Sequence, residues 1–164
     1  MFQFGAKRCV RDAFMFLSTS TNTIDAKGRT SVPSPFRDAL GDDAAVYVWP
    51  SVRGDFLEGG GEALMKALQR EIFDRVADGS LAPEAAEAQQ VMLLGEARRL
   101  SYDKTGRIVL PEAFRDHAKL SNAATFVGLG NRFQIWEPEA HETRKAAMRE
   151  SVRATPLIMG VERP

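Results

Sequence analysis

One short stretch of the chain, residues 25–38, recurs further along and constrains the fold more than any other feature of the sequence. Seven of its residues reappear 78 positions later in the same order. The matching pairs are Asp25 and Asp103, Gly28 and Gly106, Arg29 and Arg107, Pro33 and Pro111, Phe36 and Phe114, Arg37 and Arg115, and Asp38 and Asp116. Seven identities at one constant spacing are not expected by chance, so the chain contains two copies of one structural unit.

Each copy predicts a chain reversal, a short strand and a short helix. Asp25 and Asp103 are each followed three residues later by a glycine. Aspartate accepts hydrogen bonds from the backbone amides ahead of it, and glycine adopts a positive φ without a Cβ clash. Strands are predicted at residues 30–32 and 108–110, and each ends at a proline, which has no amide for a strand ladder. A phenylalanine and an arginine then begin a short helix.

The two reversals also predict ion pairs between neighbouring strands. If each loop holds three residues, Asp25 lies opposite Arg29, and Asp103 lies opposite Arg107. Opposite charges in cross-strand positions pair favourably. We therefore expect each carboxylate to direct its guanidinium, with a lysine near the tip of each loop.

The rest of the chain predicts further strands and amphipathic helices. The strands are predicted at residues 18–24, 45–49, 56–57, 124–128 and 133–136. Apolar residues recur every four positions over residues 62–77, which predicts a helix that Gly79 ends. Another helix is predicted to restart at the capping residue and early proline within residues 80–84 and to continue to residue 98, and a third is predicted over residues 138–150. The pair of helices between the copies either covers the core or contacts another subunit, and the sequence leaves both roles open.

Both ends of the chain are predicted to be disordered, as an extension over residues 1–14 and a tail over residues 151–164. The basic residues of the extension suggest a DNA-binding arm, but a solvated segment is the favoured interpretation. They are Lys7, Arg8 and Arg11.

The duplicated Asp-x-x-Gly-Arg blocks resemble those of the MraZ family of bacterial transcription regulators. The stretch Gly-Asn-Arg-Phe-Gln-Ile-Trp at residues 130–136 adds to this resemblance, which extends from about residue 15 to residue 136. It implies an α+β fold, a duplicated swapped-hairpin (AbrB-like) β-barrel with peripheral helices.

The same resemblance implies a domain organisation and partners. It implies one domain over residues 15–150, with two SpoVT-AbrB-like repeats at about 18–62 and 96–139 and a helical linker between them. It also implies a homo-oligomeric ring that represses transcription by binding short direct repeats in double-stranded DNA. The implied targets are its own promoter and the division and cell-wall gene cluster, in the cytoplasm and associated with the nucleoid.

Arg29 and Arg107 are the first candidates for DNA contact. A guanidinium donates two hydrogen bonds to guanine or contacts phosphate, and a loop tip reaches into a groove where a flat sheet cannot. Residue chemistry alone supports equally a role in which each arginine only pairs with its own aspartate and stiffens the hairpin. The resemblance favours DNA contact, with Lys27 and Lys104 beside the arginines.

Other residues of the repeat have supporting roles. The residues expected to orient the loops are Asp25, Gly28, Asp103 and Gly106. Arg37 and Arg115 are secondary candidates, for which pairing with Asp38 and Asp116 is favoured over contact with phosphate or with another subunit.

No pattern in the sequence indicates an enzyme. Asp25 and Asp103 are not expected to form a catalytic dyad, because the arginine after each favours ionisation, whereas a dyad shares one proton. Gly128 and Gly130 lack the third glycine and the βαβ context of a dinucleotide site. The two histidines are too scattered for a metal site. We expect no cofactor, no metal and no small-molecule substrate.

The charge distribution leaves a second function open. The chain has 22 basic and 22 acidic side chains, but residues 58–87 hold four more acidic than basic ones, so the remainder has an excess of four positive charges. Non-specific DNA binding is then expected to be weak and salt-sensitive. No apolar run approaches the roughly 20 residues of a membrane span, and the single cysteine, Cys9, fits a reducing cytoplasm. The alternative is a ring-forming protein-interaction scaffold without DNA specificity.

Overall fold

The computed structural model describes residues 15–155, and within them the two copies form the same succession of elements. The first copy comprises β1 (Thr19–Thr23), β2 (Arg29–Ser31), α1 (Ser34–Leu40), β3 (Ala45–Pro50), β4 (Leu57–Gly60) and α2 (Glu62–Ala77). The copies are joined by α3 (Pro83–Gln89), which continues as a π-helical segment (Gln90–Gly95). The second copy comprises β5 (Arg98–Ser101), β6 (Arg107–Val109), α4 (Glu112–His117), β7 (Ala123–Gly128), β8 (Phe133–Trp136) and α5 (Pro138–Ala154).

The strands of one copy pair with those of the other. β2 and β6 form an antiparallel two-stranded ribbon, in which Thr30 lies opposite Ile108. The other six strands form one antiparallel sheet in the order β1-β7-β8-β4-β3-β5. First-copy β1 therefore lies against second-copy β7, and second-copy β5 lies against first-copy β3. This exchange confirms the predicted α+β fold of swapped hairpins.

Side chains from both copies form one hydrophobic core. Phe36 of α1 is fully buried, and its ring centroid lies 6.2 Å from that of Phe126 and 5.3 Å from that of Phe133. Aromatic pairs at these separations add to the stabilisation that comes from area burial. Ile108 of the ribbon and Phe114 of α4 belong to the same cluster. Because both copies supply the core, neither copy encloses it alone.

Two helix ends differ from their predicted positions. The helix predicted to continue to residue 98 ends at Gly95, because Arg98–Ser101 pair with β3 in the sheet. The helix predicted to end near residue 150 continues to Ala154, so the first residues of the predicted tail are helical. The predicted extension, residues 1–14, and the tail beyond residue 155 lie outside the described residues.

The α2–α3 hairpin covers little of the core. Ile72 of α2 and Ala86 of α3 are buried, whereas Phe73 is 72% exposed. The second predicted role of the hairpin, contact with another subunit, remains a prediction. Within residues 15–155, no helix combines the length and the apolarity needed to cross a membrane.

Candidate nucleic-acid interface

Two three-residue loops, residues 26–28 and 104–106, begin the two strands of the ribbon. The amide of Asp25 donates a hydrogen bond to the carbonyl of Arg29 at 3.0 Å, and the amide of Asp103 donates to the carbonyl of Arg107 at 2.8 Å. The residues that flank each loop therefore face each other as predicted. Because the ribbon is antiparallel, the two loops lie at its opposite ends.

Each loop turns at a glycine and is hydrogen-bonded to the other copy. Gly28 and Gly106 have φ values of 79° and 76°, in the left-handed region that glycine adopts most readily. The carbonyl of Gly28 accepts from the amide of Leu110 at 2.9 Å, and that of Gly106 accepts from the amide of Val32 at 3.1 Å. The position of each loop therefore depends on the opposite copy.

The Asp25 carboxylate organises the first loop. Its Oδ1 accepts hydrogen bonds from the backbone amides of Lys27 and Arg29, both at 2.9 Å. Its Oδ2 accepts from Nε of Arg29 at 2.6 Å. One carboxylate thus fixes both the loop backbone and the direction of the arginine.

The second loop repeats this geometry. Oδ1 of Asp103 accepts from the amides of Thr105 and Arg107 at 2.8 and 3.0 Å, and Oδ2 accepts from Nε of Arg107 at 2.8 Å. Both predicted aspartate–arginine ion pairs are therefore confirmed.

The loop hydrogen bonds keep both aspartates ionised. The hydrogen bond from the Arg29 amide is the main cause that lowers the pKa of Asp25 below its ordinary value of 3.8. The Arg107 amide has the same effect on Asp103, whose pKa is also lowered. A carboxylate that accepts several donors is stabilised in its charged form. Each aspartate therefore stays charged beside its arginine down to a lower pH than an ordinary aspartate would.

Both arginines lie on the outward face of the ribbon. Thr30 and Ile108 are opposite each other and buried. Their neighbours point the other way, because side chains alternate along a strand. Arg29 lies opposite Val109, which is 54% exposed, and the side chains of Arg29 and Arg107 are 36% and 37% exposed.

The lysines extend this outward face toward the loops. Lys27 and Lys104 are exposed, one in each loop. In each arginine Nε is bound to the aspartate, which leaves the two Nη groups of the fork to reach a ligand. The ribbon and its two loops thus carry four cations, Arg29 and Arg107 on the strands and one exposed lysine in each loop.

Arg37 and Arg115 lie beneath the loops of the opposite copy. A Cβ added to Gly106 would lie 2.6 Å from Cζ of Arg37, and one added to Gly28 would lie 3.2 Å from Nε of Arg115. Within residues 15–155, neither guanidinium is within salt-bridge distance of an acidic side chain. The favoured pairing with Asp38 and Asp116 is therefore not seen.

Thr105 is a loop residue that the sequence patterns did not single out. Its amide and hydroxyl both donate to Oδ1 of Asp103 at 2.8 Å. Applying the 78-residue spacing to every loop position identifies Thr105, and not Lys104, as the counterpart of Lys27. The two loops therefore differ in chemistry although they share one backbone geometry.

Known proteins resemble this chain over most of its length. The family model described as "MraZ protein, putative antitoxin-like" matches residues 93–156. The chain is 40% identical over 147 residues to the transcriptional regulator MraZ of Azorhizobium caulinodans, covering 88% of this chain and 91% of the relative. The chain belongs to the MraZ family.

Two further MraZ relatives agree with this assignment. The transcriptional regulator MraZ of Phenylobacterium zucineum is 42% identical over 144 residues, covering 85% of each chain. That of Caulobacter vibrioides is 36% identical over 140 residues, covering 85% of this chain and 87% of the relative. MraZ proteins are transcriptional regulators and not enzymes. The region that matches the MraZ model contains the second loop, and the internal repeat relates the first loop to it.

Proposed function

We propose that this protein is a sequence-specific DNA-binding transcriptional repressor that reads promoter DNA with the β2–β6 ribbon. The observation that carries the proposal is the outward position of Arg29 and Arg107, each held by an ionised aspartate. An arginine whose direction is already set loses less conformational freedom on binding than a mobile one.

The proposed docking site of the ribbon is the major groove. B-DNA admits a two-stranded β-ribbon there, and arginine recognises guanine through O6 and N7. Lys27 and Lys104, toward the two ends of the ribbon, are suited to phosphate contact, which positions a protein without reading sequence. The arginines would then provide specificity and the lysines affinity.

Assembly supplies the affinity that one ribbon lacks. We infer a homo-oligomeric ring that places several ribbons on short direct repeats, in line with the resemblance and with the zero net charge of the chain. Once one subunit has bound, the next binds at a high effective concentration. The proposed targets are the division and cell-wall gene cluster and the protein's own promoter, in the cytoplasm and associated with the nucleoid.

Binding of fluorescent DNA to wild type and to the Arg29→Ala/Arg107→Ala variant tests the proposal. The duplex carries the region upstream of the protein's own gene, the comparison duplex is random DNA of equal length, and two salt concentrations are used. We expect wild type to prefer the upstream duplex and the variant to lose at least about tenfold in affinity for it.

The matched control is Arg75→Ala/Arg153→Ala, which removes the same charge from two exposed arginines that also pair with acidic residues. Light scattering on each sample checks the assembly. If wild type shows no preference for the upstream duplex and its DNA binding does not depend on salt, the scaffold function replaces the proposed one. A protein-interaction scaffold makes no contacts with DNA phosphates, which are the source of the salt dependence.

A further inference from the structure

A polar depression adjoins the ribbon on the side of the first copy. Its volume is about 410 Å³, and among residues 15–155 Arg37 is the one charged residue in its lining, to which no described carboxylate belongs. The other polar residues of the lining carry hydroxyl or amide side chains. They are Ser18, Ser20, Asn22, Ser31, Ser34 and Thr105.

The depression is continuous with the outward face of the ribbon. Ser31 lines it and also lies opposite Arg107 in the ribbon. Asn22 donates its side-chain amide to the carbonyl of Ser31 at 2.7 Å, which ties the edge strand β1 to the ribbon. A duplex that lies along the ribbon would therefore have its backbone close to the depression.

The Arg37 guanidinium lacks a partner among the described residues. Its Nε is buried without a hydrogen bond, and within residues 15–155 no acidic side chain pairs with it. A buried polar group without a partner is costly, and the cost is greater for a charged group. Packing against Gly106 also limits where this guanidinium can move. Because Arg37 also lines the depression, its guanidinium is placed to receive an anion supplied from outside the subunit.

The second copy does not repeat this lining. At the corresponding positions of the other copy, Ser18, Ser20, Asn22, Ser31 and Ser34 are replaced by Glu96, Arg98, Leu100, Val109 and Glu112, and Thr105 is replaced by Lys27. Two of these are acidic, two are apolar and two are basic. Arg115 resembles Arg37 in its position against a loop glycine and in its buried, unpaired Nε. The two arginines therefore share their packing but not the chemistry around them.

We propose that Arg37 and the polar side chains around it bind one phosphate of the DNA backbone, and that Arg115 only supports the loop of the other copy. A phosphate has several oxygens that accept hydrogen bonds from arginine, hydroxyl and amide donors. This inference rests on the proposed function. It makes the two ends of the ribbon unequal, so each subunit has a preferred orientation on DNA.

The test compares Arg37→Gln with Arg115→Gln in the full chain, using the upstream duplex over a range of salt concentrations. Loss of one phosphate contact lowers the slope of log affinity against log salt by about one. We expect Arg37→Gln to show this change with a roughly tenfold weaker affinity, and Arg115→Gln to keep the wild-type slope.

A duplex in which single phosphates are replaced by neutral methylphosphonates identifies the contact. At one position the replacement should weaken DNA binding by wild type and by Arg115→Gln, but it should not weaken binding by Arg37→Gln any further. Ser20→Asp keeps the Arg37 packing and adds a negative charge to the depression, so it should weaken binding even if Arg37→Gln does not fold. Added inorganic phosphate, at matched ionic strength, should compete only weakly if the site requires the DNA backbone.

Equal slopes for the two glutamine variants, or an unchanged affinity of Ser20→Asp, would overturn the assignment of the phosphate site. Strong competition by inorganic phosphate would identify a free-anion site and overturn the DNA assignment. Neither result concerns the proposed function, which fails on a different observation, the absence of any wild-type preference for the upstream duplex.

Discussion

At Gly28 and Gly106, backbone conformation and packing exclude a side chain for separate reasons. Both residues have positive φ values, which cost an L-residue about 1–2 kcal/mol. In addition, a Cβ would lie 2.9 Å from the Leu110 carbonyl at Gly28 and 2.9 Å from Nε of Arg37 at Gly106. Gly79 has a φ of 78° with no atom of the described residues within 4 Å of an added Cβ, so a side chain there meets only the backbone cost.

We predict that Gly106→Ala destabilises the protein more than Gly79→Ala. The backbone cost is shared, and the displacement of Arg37 should add about 1–3 kcal/mol to the loss at Gly106. Urea unfolding of both variants measures the difference in the free energy of unfolding. Equal losses would show that Arg37 moves away from Gly106 without cost.

The loop aspartates predict a pH dependence of stability. Folding lowers the pKa of each aspartate. The stabilisation that comes from the ionised carboxylate is therefore fully present above the pKa of the unfolded chain. It is lost as the pH falls below 3.8 toward the lower pKa of the folded state. Wild type should therefore be more stable than Asp25→Asn/Asp103→Asn at pH 6, and the difference should shrink toward pH 3. Urea unfolding at several pH values measures it. A difference independent of pH would mean that the carboxylate charge contributes nothing.

At the scale of elements, the exchange of strands makes each copy depend on the other. β1, β2, β3 and β4 pair with β7, β6, β5 and β8, whereas β3–β4 and β7–β8 are the hairpins within one copy. A two-stranded hairpin alone is marginally stable in water.

We predict that fragments 1–80 and 81–164 do not fold as separate monomers but regain structure when they are mixed. Circular dichroism and size-exclusion chromatography of each fragment and of the mixture measure this. A homodimer of one fragment would agree with strand exchange. Cooperative unfolding of a single monomeric fragment would contradict it.

At the scale of the whole molecule, affinity for DNA should depend on assembly more than on charge. The chain has no net charge, so one subunit gains little from long-range attraction. Identical subunits on spaced repeats gain instead from effective concentration, by about 10²- to 10⁴-fold.

We predict that a duplex with several repeats binds at least about tenfold more tightly than one with a single repeat. Lengthening the spacer by about five base pairs places the next repeat on the opposite side of the helix and should remove most of the gain. Fluorescence anisotropy with the three duplexes measures the effect. If the affinity follows only the number of repeats, independent binding of subunits accounts for the data.

The sequence predicted the ends of some elements correctly and those of others wrongly. The correct ends are set by contacts between residues close in the sequence, and the wrong ones by contacts between distant residues. The periodic apolar residues predicted α2 with the ends that it has, Glu62 and Ala77, because the spacing of a helix face and the glycine after it are local signals. The helix before β5 was predicted too long, because Arg98–Ser101 become a strand only through pairing with β3.

The sequence by itself determined the duplication, because identical residues recur at one constant spacing. It also determined the two turns and the ion pairs of Asp25 with Arg29 and of Asp103 with Arg107, because these contacts join residues four positions apart. Only the tertiary structure placed Arg37 against Gly106 and gathered the polar depression around it. Those contacts join residues of the two copies that are far apart in the sequence, and no local pattern encodes which residue of one copy approaches the other.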